Sequence, residues 1–244
     1  MWGALLVLVL GLGLGCGRIG YDARPGDADA DDGSVDAILD GPLRDAIMPG
    51  ACGATALIND PFDDGVAAPA FTLNTSGGLT ASESNGRFSV QFPGSVSASN
   101  DASYRSVTAY PVAGLCATVE VVQRPVNGAA IFAQLRTAQL GVALFAHDDI
   151  IELRTEQSSG PGSGIVVRAT LPLDLVAHRF WRLRQVGTTT LWETSADGSQ
   201  FVTHAMVDGF FTASTCLFEL GAGAPVDVTA GGAAAFESAT AFGP

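Results

Sequence analysis

The side chains able to do chemistry in this 244-residue chain are few: three His, four Cys and 25 carboxylates, set against 12 Arg and no Lys. Without Lys there is neither a Schiff-base amine nor a phosphate-loop amine. His147, His178 and His204 lack the one-turn or alternate spacing that lets two imidazoles share a metal, so no metal site is expected. Gly160-Pro161-Gly162-Ser163-Gly164 holds a serine among glycines, but it does not have the order of a nucleophile elbow and reads as a turn. Asp27, Asp29 and Asp31 alternate as the first ligands of a calcium loop do. The sixth and twelfth positions, however, are Asp32 and Ile38, where such a loop needs Gly and Glu. No cofactor is expected. The net charge of -13 sets nucleic acid aside as a partner, because it repels phosphate.

Any such residue must be held by strands, since no helical period is visible. Short alternating or β-branched runs recur between Gly, Asn, Asp and Pro, as in Cys116–Val122, Ala130–Leu135, Leu140–Ala146 and Gly164–Ala169. Ten such runs lie beyond residue 50, which predicts two packed antiparallel sheets. With a turn at Gly187-Thr188, strand Phe180–Val186 pairs with Thr189–Thr194 so that Leu183 faces Trp192 and Arg182 faces Glu193. Opposed residues share a face. Trp181, Leu183 and Trp192 then point to the core while Arg182, Arg184 and Glu193 point to solvent. The same alternation puts Ile151 and Leu153 inward and Glu152, Arg154 and Glu156 outward.

Ahead of the strands, residues 1–15 (MWGALLVLVLGLGLG) are apolar but shorter than the ~20 residues of a spanning helix. They read as an export signal. Gly13-Leu14-Gly15-Cys16 resembles the lipobox of bacterial lipoproteins, which implies lipidation of Cys16 and a membrane as partner. Gly17, in place of a retention Asp, favours the outer membrane of a Gram-negative cell. Residues 16–49 hold eight Asp and three Arg, a composition that cannot bury enough apolar surface to fold and serves as a disordered, self-repelling tether. Residues 50–244 form the one domain.

Its hairpin reads His178-Arg179-Phe180-Trp181-Arg182-Leu183-Arg184, then Leu191-Trp192-Glu193-Thr194-Ser195-Ala196-Asp197-Gly198. This resembles the HRWLRIR…WETSPDG stretch of bacterial concanavalin A-like lectin/glucanase domains. Phe62-Asp63-Asp64, Asn85-Gly86-Arg87-Phe88 and Glu219-Leu220-Gly221-Ala222-Gly223 support it. The resemblance implies an all-β, two-sheet antiparallel jelly-roll sandwich shared by lectins, hydrolases and domains without a known ligand.

Glucanases of this fold carry E-x-D-x-x-E on a strand, with two Glu as nucleophile and acid/base. The nearest stretch, His147-Asp148-Asp149-Ile150-Ile151-Glu152, puts His at the nucleophile position and an Asp-Asp pair that looks like a turn. The chain is therefore expected not to be an enzyme, with a diverged glycoside hydrolase as an alternative. The favoured expectation is noncatalytic glycan binding at the envelope by Phe180, Arg182, Arg184 and Glu193; the other alternative is a structural module that contacts an envelope protein. In an exported chain Cys116 and Cys216 are the expected disulfide, closing a loop of about 100 residues. Cys52 with Cys216 is the second choice, although Cys116 and Cys216 alternate onto faces of different character.

Overall fold

A computed structural model describes residues 52–125, 127–158 and 164–244. The proposed signal, Cys16 and the acidic tether lie outside the described residues, as does most of the Gly160–Gly164 turn. The described chain is all strand: β1 (Thr55–Asp60), β2 (Phe71–Thr75), β3 (Thr80–Glu83), β4 (Phe88–Phe92), β5 (Asn100–Ser106), β6 (Tyr110–Pro111), β7 (Cys116–Gln123), β8 (Ala130–Arg136), β9 (Leu140–His147), β10 (Ile150–Gln157), β11 (Gly164–Pro172), β12 (Phe180–Val186), β13 (Thr189–Ser195), β14 (Val202–Asp208), β15 (Thr215–Ala224) and β16 (Gly232–Gly243). Each of the ten runs expected from alternation lies on one of these strands.

Two antiparallel sheets face each other. The first runs β14-β13-β12-β7-β16-β4-β3 with β1 on β16, and the second runs β11-β10-β9-β8-β15-β5-β2 with β6 on β15. The hairpin register is the expected one, Leu183 opposite Trp192 and Arg182 opposite Glu193. Trp181 and Trp192 are buried in the core with Leu183, Ile131, Leu135, Leu144, Ile151, Leu153, Phe218 and Phe236. Trp192 donates its indole N–H to the Ala143 carbonyl at 2.9 Å, a hydrogen bond that ties the two sheets and keeps this buried indole donor paired. Burial of such large apolar side chains is what offsets the chain entropy of ordering the sheets.

The cysteines correct the expected pairing. Cys52 bonds Cys116, with Cα atoms 5.4 Å apart, and Cys216 is a buried free thiol. The physical reason is the alternation noted above. Cys116 stands opposite Phe242 of β16, on the far side of β7 from the core residues Ala117 and Val119, and β1 brings the segment carrying Cys52 along β16. Cys216 belongs to the other sheet and faces the core. Burial pushes its thiol up to about 12, so it is an inert core side chain.

Candidate functional site

Both sheets have an outer face that carries charge, and the two differ. On the first sheet, Glu193 accepts hydrogen bonds from Arg182 Nε at 2.7 Å, from Arg184 Nε at 3.0 Å and Nη2 at 2.8 Å, and from Thr203 at 3.1 Å. Arg182 also lies flat on Phe201, its guanidinium carbon 3.6 Å from the ring centroid. Burial pushes the Glu193 carboxyl up, but the two arginines outweigh it and hold it below the usual range. The expected binding residues therefore do come together, yet the face expected to be wet is dry. Glu193 is 1% exposed and both arginines 6%. Phe180 is the partly exposed member, and its ring is packed over Gly198, where a Cβ would stand 3.2 Å from it. The carboxylate here is saturated by its own chain.

The second sheet presents a broader polar face across β10, β9, β8, β15 and β5. Register places Arg154, Ala143, Gln134, Glu219 and Arg105 in one row, and Glu152, Phe145, Phe132, Gly221 and Ser103 in the next. Three positions on this face, Gly141, Gly221 and Gly223, have no side chain. At Gly221 none could fit, since a Cβ would lie 2.4 Å from the Ala102 carbonyl. Phe132 and Phe145 stack in parallel with Ala130 as a small apolar cluster separate from the main core. Arg154 covers Phe145 at 3.7 Å.

Three of the carboxylates on this face, Glu219, Glu152 and Glu156, are in different states. Glu219 accepts from Ser103 at 2.8 Å, Gln134 at 2.9 Å, Arg105 at 3.0 Å and Arg136 at 3.1 Å. Burial pushes it up, and the arginines and Ser103 more than reverse that shift. Glu152 is hydrogen-bonded by His147 at 3.3 Å and by Arg154. The His147 bond, with Arg154 behind it, holds the carboxyl down, while the same bond raises His147. Glu156, four residues along β10 on the same side, is the opposite case: burial drives its carboxyl up, and the field of Glu219 adds to that against Arg154 and Arg136. One carboxyl held below the ordinary range and another pushed above it on one face is the arrangement in which one group can take a proton and the other give one.

The expected motif stretch appears here in altered form. Asp148 and Asp149 make the two-residue turn between β9 and β10, with Asp148 at φ 50°, so His147 and Glu152 meet across a hairpin instead of along one strand. Glu152, Arg154 and Glu156 were visible as an outward alternating set in the sequence. Their convergence with Arg136, Gln134 and Glu219 was not, because it depends on β15 docking beside β8 from more than 80 residues away.

No family model matches the chain, and no curated protein matches it. Among solved structures, the catalytic domain of an endo-1,3-beta-glucanase (laminarinase) from Thermotoga petrophila superposes with TM-score 0.57 at 10% identity, over 77% of this chain and 96% of that one. An endo-beta-1,3-glucanase from Pyrococcus furiosus gives TM-score 0.55 at 9% identity over 77% and 94%. A pseudo beta-1,3-glucanase of Mycobacterium tuberculosis, an immunostimulatory antigen, gives 0.56 at 11% over 78% and 99%. The described domain thus has the jelly-roll, concanavalin A-like fold of these glucanases. The expectation that the chain is not an enzyme is corrected on this ground: the sandwich is one on which glucanases are built, and a degenerate motif on one strand does not set hydrolysis aside.

Proposed function

We propose that the domain is a diverged glycoside hydrolase that engages a β-glucan-type polysaccharide on the outer face of the second sheet. The observation that carries this is that Glu152 and Glu156, on one side of β10, are pushed in opposite directions from the ordinary carboxylate range, Glu152 down by its His147 and Arg154 partners and Glu156 up by burial. Glu156 is the acid that protonates the leaving oxygen, and Glu152 is the base that takes a proton from water. Four residues of strand separate their Cα atoms by about 13 Å. That is too wide for the ~5 Å of a retaining pair, so hydrolysis here requires the inverting route, whose carboxyls stand ~6.5–9.5 Å apart with water between them. Phe132 and Phe145 are buried beneath the polar side chains of this face and form its apolar floor.

Release of reducing ends from laminarin tests the proposal. The wild-type chain is expected to release them, and Glu156→Gln and Glu152→Gln are each expected to lower the rate by about 10²–10⁴-fold. Retention of laminarin without cleavage by the wild type would refute hydrolysis, and equal rates in all three would refute the site.

We further propose that the chain is exported and anchored to the outer membrane through acylated Cys16, with residues 16–49 as the tether. The support is the short apolar start, the Leu14-Gly15-Cys16 sequence and the Asp-rich composition. Metabolic labelling with palmitate should mark the wild type and not Cys16→Ala; equal labelling of both would overturn the anchor.

A further inference from the structure

The turn between β3 and β4, the loop before β12 and a bulge in β16 meet at one end of the first sheet. Arg87 closes the turn through main-chain hydrogen bonds with Ser84, and the pairing of Phe88 with Phe236 sets it beside Glu237. Register along β7 passes from Phe236 opposite Val121 to Ser238 opposite Glu120. Glu237 is therefore the extra residue of a bulge, a device that re-aims a side chain. Arg179 is fixed by its carbonyl, which accepts the Val121 N–H at 2.8 Å. The turn ahead of it is fixed by Asp174, which accepts from the N–H groups of Val176 at 2.8 Å and Ala177 at 3.2 Å. Between these pieces lies a cavity of about 200 Å³, lined by Arg87, Val121, Val122, Leu175, Arg179 and Glu237.

Glu237 bridges the two arginines, accepting from Arg87 Nε at 3.4 Å and Nη2 at 3.2 Å and from Arg179 Nη2 at 2.8 Å. Glu120 anchors Arg179, accepting from its Nε at 2.6 Å. The cluster is unlike the dry one around Glu193. The side chains of Arg87, Arg179 and Glu237 are 46%, 43% and 30% exposed, against 7% for Arg182 and Arg184 and 1% for Glu193. Among the described residues, the hydrogen bonds of both arginines engage Nε and Nη2. That leaves Nη1 of each for a ligand, and a carboxylate oxygen that accepts one N–H keeps further acceptor capacity.

These groups select the ligand. A carboxylate or phosphate would have to part Glu237 from its arginines, and an ammonium would face two guanidinium charges. A hydroxyl accepts from Arg and donates to Glu at once, so adjacent hydroxyls bridge the ion pairs without breaking them, and Val122 and Leu175 supply apolar lining for the C–H face of a ring. The cavity is smaller than the roughly 300–1,000 Å³ of pockets for drug-sized ligands, which suits one ring and not a chain. We propose that it is a second sugar site that binds a single neutral hexose, on the other sheet from the proposed cleft and independent of it.

The test follows the amide shifts of the isotope-labelled full chain as glucose is raised to about 50 mM, well above the Kd on the order of 1 mM expected for a ligand of about a dozen non-hydrogen atoms. Saturating shifts are expected at Val121, Val122, Arg179 and Glu237. Arg87→Ala is expected to weaken binding about tenfold or more, and Glu156→Gln to bind as the wild type does. Should Arg87→Ala fail to fold, Glu237→Ala is measured in its place with the same expectation. Absence of shifts at these residues across the titration overturns the proposal, as does equal glucose binding by the wild type and the cavity variant. Sodium acetate that moves the same amides at lower concentration than glucose would assign the cavity to an anion and overturn it too. Loss of glucose binding in Glu156→Gln would place the sugar in the cleft instead.

Discussion

Removing the Glu193 carboxylate leaves two guanidinium groups facing each other on the first sheet. Arg182 and Arg184 are each 6% exposed and both donate to Glu193, so Glu193→Gln strands two buried charges. Breaking a buried ion pair by removing one partner costs about 3–5 kcal/mol. For a domain of this size each kcal/mol is worth about 2–4 °C, so the midpoint should fall by about 6–20 °C. Replacing the whole cluster, with Arg182→Met, Arg184→Met and Glu193→Leu together, should recover most of the loss, since well-packed apolar side chains often match a buried ion cluster. Thermal and urea melts of the three proteins decide this. The pH dependence adds a sign: Glu193 is held below its unfolded value of 4.5, so its contribution is full above that pH and is lost as pH falls through the lower folded value. Glu193→Gln should flatten this acid limb. A fall of under about 2 °C in Glu193→Gln, or a triple variant as damaged as the single one, would refute the picture of a dry, self-contained ion cluster.

Three further outcomes follow from other parts of the fold. Reduction, or Cys52→Ala, opens a loop of 64 residues and should cost about 4 kcal/mol by the chain-entropy relation; peptide mapping without reductant should find Cys52 linked to Cys116 and Cys216 free. Gly221→Val forces a Cβ to within 2.4 Å of the Ala102 carbonyl and should abolish folding at 37 °C, whereas Gly187→Ala, with nothing within 4 Å and only φ +58° against it, should cost about 1 kcal/mol. His178 and His204 share the Thr194 hydroxyl, 2.8 Å from each. Burial lowers both imidazoles below 6.5, so they stay neutral in the fold and stability should decline as pH drops below that value; His204→Gln should shallow the decline seen in melts between pH 7.5 and 5.5.

The parts of the fold read from sequence are those whose two faces differ sharply. The β12–β13 hairpin puts Trp and Leu on one side and Arg and Glu on the other, so only one register satisfies both. The β10 strand behaves alike. Strand β5, Asn100–Ser106, was not found: only Ala102 and Tyr104 mark its inner face, and its outer Ser103 and Arg105 make sense only once Glu219 stands beside them. Alternation likewise assigned Arg182, Arg184 and Glu193 to an outer face but could not say that they would bury one another, because that depends on Phe201 and Thr203 packing from β14 and the turn before it. The disulfide was missed for a related reason. β1 does not alternate, its apolar Ala56, Leu57 and Ile58 standing in one run across a bulge, so its place along β16, which delivers Cys52 to Cys116, is a matter of tertiary pairing.

The proposed glycan face is tested most directly by amide hydrogen exchange of the full chain with and without a laminarin oligosaccharide, using Glu156→Gln to prevent turnover. Protection should concentrate in Ala130–Arg136, Leu140–His147 and Ile150–Gln157 and leave Phe180–Ser195 unchanged. Protection confined to Phe180–Ser195, or none at saturating oligosaccharide, would contradict the account.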